Sequence, residues 1–192
     1  MVAEPGCPPL TPSKPKNPGA FRAGFFGRIV EDKGVSMLME AAPMVNPIEI
    51  HAYGQGPLLD SLRQLKSGVH FHGRVEDVAD SMNAMDCVVV PSLWEEAFGF
   101  VALEAMSLGK PVVATRSGNL PELVVPGENG LLINKGDSKA LANAILTLAS
   151  DEDGAKRLGA AGKEKHQTQY LIEHFGQRVE AAYFQASSSR NS

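Results

Sequence analysis

Six short apolar runs, each separated from the next by a stretch of different periodicity, set the strongest limit on what this chain can fold into. The runs are AGFFG (23–27), IEIHA (48–52), VHFHG (69–73), CVVVP (87–91), PVVAT (111–115) and GLLIN (130–134). Helical patterns fill 35–44, 57–66, 78–85, 99–108 and 138–149 between and after them. A further helix is expected over 171–184, where Leu171, Phe175, Val179, Ala182 and Tyr183 recur at helical spacing. Strands that alternate with helices pair in parallel. The predicted fold class is therefore α/β: a Rossmann-like parallel sheet of about six strands with helices on both faces. In such sheets ligands bind at the carboxyl ends of the strands. Arg28, Arg74, Val75, Glu95, Glu96 and the segment Ser117 to Asn119 all fall at such ends.

The 192 residues suit one domain with tails, and 43% hydrophobic content is enough for a core. Residues 1–19 hold six prolines and few large apolar residues, so an extended linker or disordered tail is expected there. The nucleotide-binding unit is expected over 20–186, with a flexible end, SSSRNS, at 187–192. A net charge of −4 gives no field that favours nucleic acid or an anionic membrane. Cys7 and Cys87 are the only cysteines, which points to a reducing, cytoplasmic setting. No run is long and apolar enough to span a bilayer, and the N-terminus has no signal core.

Several motifs point to other chemistry and are better read as ordinary structure. YGQGPLL (53–59) has Gly-x-Gly after a strand, but a dinucleotide fingerprint wants glycine where Leu59 stands, so a tight strand-to-helix turn is expected. GKP (109–111) lacks the other residues of a phosphate-binding loop. His70 and His72 share one face of a strand, and a metal would need further ligands. Asp151 to Asp153 sit where a helix start is due, which suits the helix dipole. No metal and no cofactor is expected.

The stretch WEEAFGFVALEAMSLGKPVVAT (94–115) is different. A burial stripe of Val101, Ala105 and Leu108, reinforced by Ala102 and Met106, has Glu104 as its only charge. A carboxylate in that company is costly unless something binds it. Glu104 is read either as a structural or solvent-facing acid or as an acceptor for ligand hydroxyls. Glu96 stands eight residues earlier, and eight helical residues rise at most about 12 Å. Between the two acids the backbone N–H groups of Ala97, Phe98, Gly99 and Phe100 leave a helix start, where anions are favoured. Gly99 permits close backbone approach. Arg28 and Lys33, in GRIVEDKG (27–34), supply cations from the loop after the first strand. The order hydroxyl acceptor, anion cradle, hydroxyl acceptor matches the hexose, diphosphate and ribose of a nucleotide sugar.

On these motifs the chain resembles the C-terminal, donor-binding half of the retaining family 4 glycosyltransferases, which have the GT-B fold. The matching stretches are FFGRIVEDKG (25–34), IHAYGQGPLLDSL (50–62), VHFHGRV (69–75) and the long segment 91–133. The resemblance implies roles. Arg28 and Lys33 would bind the donor diphosphate, and Glu104 would accept from ribose hydroxyls. Glu96 would touch the transferred sugar, and the backbone from Ala97 through Phe98, Gly99 and Phe100 to Val101 would hold sugar and phosphate. Val75 and Asp77 occupy the position expected near the base. Arg28, Lys33 and Glu96 are the candidate catalytic groups. Where the family usually has two glycines, this chain has Gly118 and Asn119; asparagine tolerates left-handed backbone.

The implied partners are a nucleotide sugar and an N-terminal acceptor domain in cis or in trans. That domain could bring peripheral membrane association. The implied activity is metal-independent hexosyl transfer, and the alternative is a non-catalytic nucleotide-sugar-binding or regulatory module.

Overall fold

The computed structural model describes residues 6–13, 19–65 and 67–173. Six strands form one sheet: β1 (Arg22–Phe26), β2 (Glu49–Tyr53), β3 (Val69–Gly73), β4 (Cys87–Val90), β5 (Val112–Thr115) and β6 (Gly130–Ile133). All pair in parallel, in the order β3-β2-β1-β4-β5-β6. Each lies within one residue of the run expected for it. The order reverses between β1 and β4, and the loops that leave those two strands part there to open a crevice.

Among the described residues seven α-helices cover the sheet: α1 (Val35–Ala41), α2 (Leu59–Arg63), α3 (Val78–Asn83), α4 (Phe100–Ser107), α5 (Leu120–Leu123), α6 (Ser138–Ser150) and α7 (Glu152–Gln169). Helices α1 to α4 end early against the expected ranges. α1 passes into a 3₁₀ turn at Ala42–Met44, where Pro43 stands. α2 starts only after the turn at Pro57 and Leu58, and α3 stops at Asn83. α5 and the extent of α7 were not expected. Of the helix expected over 171–184, only 171–173 lie among the described residues.

Two cores result, one on each face. Phe25, Ile29, Met37, Leu38, Leu141 and Ile145 pack on the side of α1 and α6. Met82, Met85, Leu103, Met106, Leu120 and Leu123 pack on the side of α3, α4, α5 and α7. The central strands β4 and β5 are buried at every position, as a sheet covered on both sides requires. Strand β3 lies at the edge, and its His70 and His72 are exposed.

Residues 6–13, expected as part of a linker or disordered tail, are instead laid along the second face. The Cys7 N–H donates to the Tyr170 carbonyl at 2.7 Å, and the Leu10 N–H to Ser107 Oγ at 3.0 Å. Ser13 donates from both its N–H and its hydroxyl to Asp80, each at 2.6 Å. Proline-rich sequence gives little side-chain burial, but its extended backbone still offers hydrogen-bonding groups, and α3, α4 and α7 receive them. Cys7 and Cys87 are both buried and free. No described helix is long and apolar enough to cross a membrane.

Candidate functional site

A cleft with two adjoining lobes lies at the carboxyl ends of β1 to β4. The first lobe, about 220 Å³, is lined by Lys33, Ser92, Glu96 and the run Ala97 to Val101. The second, about 490 Å³, is lined by Arg28, Tyr53, Arg74, Val75, Glu76 and Glu104. Phe26, Gly27 and Val101 belong to both. Of the residues proposed from the sequence, only Asp77 does not line this cleft.

The first lobe is built on the helix start. Gly99 caps α4 with a left-handed backbone, φ 69°, which a side chain would oppose. A β-carbon there would also stand 2.7 Å from Leu123 Cδ1. The first intrahelical bonds come from the N–H groups of Ala102 and Leu103 to the Gly99 carbonyl, so those of Phe100 and Val101 precede the ladder. Glu96 faces this helix end. Its side chain is 16% exposed; Lys33 Nζ contacts Oε1, and Ser92 Oγ donates to the same oxygen at 2.6 Å.

Glu95 is turned away. It accepts from the Gly118 N–H and pairs with Lys135, and those contacts hold its carboxyl below the usual range. The pair of adjacent acids is thus divided: Glu96 serves the cleft, and Glu95 pins the loop after β5. The Asn119 N–H donates to the Glu96 carbonyl at 2.8 Å, and Ser117 Oγ donates to the Trp94 carbonyl. Only Gly118 in this loop is left-handed, with φ 52°. Asn119 has φ −80° and begins α5, so the asparagine needs no special backbone.

The second lobe holds Glu104, and α4 explains how. The helix packs on the sheet with one face and on α7 with another, burying Ala102, Leu103, Ala105 and Met106. That leaves Phe100, Val101, Glu104 and Leu108 as the less buried stripe. Burial raises the Glu104 carboxyl above its usual range. Its charge reaches Cys7: burial first, then Glu104, pushes that thiol up to about 11. The docked N-terminal segment, whose Leu10 N–H reaches Ser107 at the end of α4, therefore runs close to that helix.

Asp77 is a correction. Its carboxylate caps α3, accepting the Asp80 N–H at 2.8 Å. Its neighbour Glu76 lines the lobe instead. Asp77→Ala is expected to cost about 1 kcal/mol of stability, as loss of an N-cap does, and to leave ligand affinity at the cleft within twofold. A thermal melt beside calorimetry checks both.

Tyr53, Gln55, Glu76, Phe26 and Ser92 are lining residues not singled out from the sequence; Arg74 was placed only at a strand end. Tyr53 and Phe26 were hidden as strand residues. The signal for Ser92 was its place just after β4, four residues before Glu96. Among the described residues no group of three or more His, Cys, Asp or Glu side chains could hold a metal ion.

Comparison with known proteins decides the family. Residues 20–151 match the model of the family described as glycosyl transferases group 1. This chain belongs to that family. An uncharacterized glycosyltransferase, MJ1178, of Methanocaldococcus jannaschii is 37% identical over 156 residues, covering 77% of this chain and 44% of the relative. Anabaena Alr3699/HepE, solved in complex with UDP, superposes with a TM-score of 0.81 at 29% identity, covering 86% of this chain and 49% of that one. The C-terminal domain of the group 1 protein LpcC from Francisella tularensis superposes with a TM-score of 0.72 at 31% identity, covering 81% and 88%. This group 1 chain spans about half the length, or less, of the curated relatives it matches. Its Rossmann-like parallel sheet is that of the GT-B glycosyltransferase structures.

Proposed function

We propose that this chain is the donor-binding half of a retaining, metal-independent glycosyltransferase, which moves a hexose from a nucleotide-diphosphate sugar to a hydroxyl acceptor. The observation that carries this is the pairing within one cleft: a cation and an acid in each lobe, with a helix start beside the first. In this reading the hexose lies by Glu96, the diphosphate by Lys33, Arg28 and the α4 N-terminus, and the nucleoside in the second lobe. There Glu104 accepts from the ribose hydroxyls, and Val75 and its neighbours border the base. HepE, which has the same fold, was solved with UDP and with UDP-glucose. That supports a nucleotide sugar here.

The bond between the anomeric carbon and the diphosphate oxygen breaks as negative charge grows on the leaving group. Lys33, Arg28 and the helix N–H groups meet that charge in place, and preorganised donors of this type commonly account for several kcal/mol of barrier. The acceptor oxygen bonds to the anomeric carbon, and its proton passes to the leaving phosphate. No protein nucleophile is assigned. Side chains that choose the acceptor belong to a second domain, in cis or in trans.

A thermal-shift panel of UDP, GDP and ADP, each with its hexose conjugates and its bare nucleoside, tests the donor site. One base is expected to stand out. At a hundred times its Kd the ligand stabilises by about 2.7 kcal/mol, which for a chain of this size raises Tm by roughly 5–10 °C. Its nucleoside should give a much smaller shift. A panel with no shift for any member overturns the reading.

A further inference from the structure

An open stack of rings leads from the edge of the sheet into the second lobe. Strands β2 and β3 present His51, His70 and His72 on one face, with His51 opposite His70 in the register. The His51 ring lies 5.0 Å from that of His70 and 5.1 Å from that of His72. His72 in turn stacks on Tyr53 at 4.4 Å and 10°, and Tyr53 stacks on Phe26 at 4.7 Å and 6°. Both Tyr53 and Phe26 line the second lobe. Tyr53 is thus clamped between a histidine and a phenylalanine, and the histidine is the member open to solvent.

The hydrogen bonds of the pair set how many protons it can hold. His51 Nε2 lies 3.2 Å from Glu49 Oε2, and His51 Nδ1 lies 2.8 Å from His72 Nε2. With both rings neutral, His51 donates to Glu49 and accepts from His72, and every contact is met. One extra proton is also accommodated, since the His51–His72 contact still has one donor and one acceptor. A second places N–H against N–H at that contact, with two cations side by side. The contact must then open, and His72 leaves its place on Tyr53.

We propose that His72 is a positioning residue for donor binding: it holds Tyr53 as a wall of the nucleoside lobe, and double protonation of the His51–His72 pair releases that wall. This rests on the donor-site reading above. The surroundings favour the neutral state. Partial desolvation, and then the neighbouring histidines and arginines, lower both His51 and His72 from their ordinary 6.5, although Glu49 acts in the opposite direction on His51. The charged groups that act on the pair are Arg22 from β1, Glu49 from β2, His70 from β3 and Arg63 from α2. Arg22 shares the Glu49 carboxylate, with Nε 3.1 Å from Oε2. From α3, Asp80 is held by Ser13, and Asp77 is engaged at its own helix start. Depressed histidines withhold nothing above pH 6.5 and oppose the stacked state progressively as pH falls below it.

The test uses the full chain and whichever of UDP-glucose, GDP-mannose or ADP-glucose binds at pH 8. Their diphosphate diesters do not titrate between pH 5 and 8. Calorimetry is expected to show affinity at least about threefold lower at pH 5 than at pH 7.5, because protonation of the pair opposes the stack progressively as pH falls below 6.5. His72→Phe keeps a ring on Tyr53 and, compared in a Glu104→Gln background that removes the other titrating group of the lobe, should lose most of the fall seen with His72 present, since the His51–His72 contact is gone. In parallel, ring resonances of Tyr53 in the ligand-free protein should shift with the same midpoint as those of His72. A pH-independent wild type, an unchanged profile in His72→Phe, or a Tyr53 ring that ignores His72 overturns the proposal. Failure of all three donors to bind at pH 8 overturns the donor-site reading instead, and the Tyr53 resonances still decide whether the stack responds to protons.

Discussion

Replacing Lys33 with alanine lowers affinity for the bound nucleoside diphosphate by about 100-fold, while the matching nucleoside loses less than about threefold. The size follows from charge-assisted hydrogen bonds, worth roughly 1.5–3 kcal/mol each, at about 1.4 kcal/mol per tenfold. Lys33 ends the 3₁₀ turn Glu31–Lys33, which Gly34 closes, so its stem starts from a fixed point beside the cleft. Its ammonium sits on Glu96. In the proposed donor complex the ammonium would turn to the diphosphate, leaving Glu96 to a sugar hydroxyl. Alanine removes the proposed phosphate contact and also leaves the Glu96 carboxylate with Ser92 alone among its described side-chain partners. Stability should therefore fall slightly, because Lys33 is partly exposed and a pair of this kind contributes little. Arg28→Ala, an exposed residue of the second lobe, should show the same preference with a smaller loss. Calorimetry with both ligands on both variants is the check. Equal losses for nucleoside and diphosphate would mean that Lys33 acts through the fold and not on phosphate.

Which parts of this molecule could be read from the sequence follows from how they are stabilised. Strands β4 and β5 were visible because burial on both faces leaves an unbroken apolar run, CVVV in one case and VVAT in the other. Helix α7 was not, because it buries Ala155, Gly159, Gly162 and His166, which draw no apolar stripe. It packs by close approach of small residues, and periodicity of large ones does not register that. The segment 6–13 is ordered through backbone hydrogen bonds, which composition does not reveal.

At the cleft, Glu96, Glu104, Lys33 and Arg28 were legible because each is a charge at a place where the fold needs a reason for one. Asp77 and Glu76 could not be told apart by position, since one residue decides which side chain caps the helix and which faces the lobe. The pattern of an acid before VADSM was itself the cap signal. The histidine stack depends on the register between β2 and β3, which neither strand's sequence states alone.

Glu104→Gln should separate binding from stability, because the two effects have opposite signs. Burial raises the Glu104 carboxyl, and no described basic side chain pairs with it. A raised carboxyl gives its favourable contribution below the ordinary value of 4.5 and loses it as pH climbs through the raised value. At pH 7 the ionised group therefore costs stability. Glutamine keeps the shape and removes the charge, so Tm should rise at pH 7 and the gain should vanish near pH 4. Binding should go the other way. An ionised carboxylate accepting ribose hydroxyls loses about tenfold or more in affinity when it becomes a neutral amide. The loss should disappear for the 2′,3′-dideoxy analogue of the same nucleotide, which has no ribose hydroxyls left to donate. If Tm instead falls at pH 7 while affinity for the ribonucleotide is kept, Glu104 is a structural acid, and the nucleoside must be held by other groups of the second lobe.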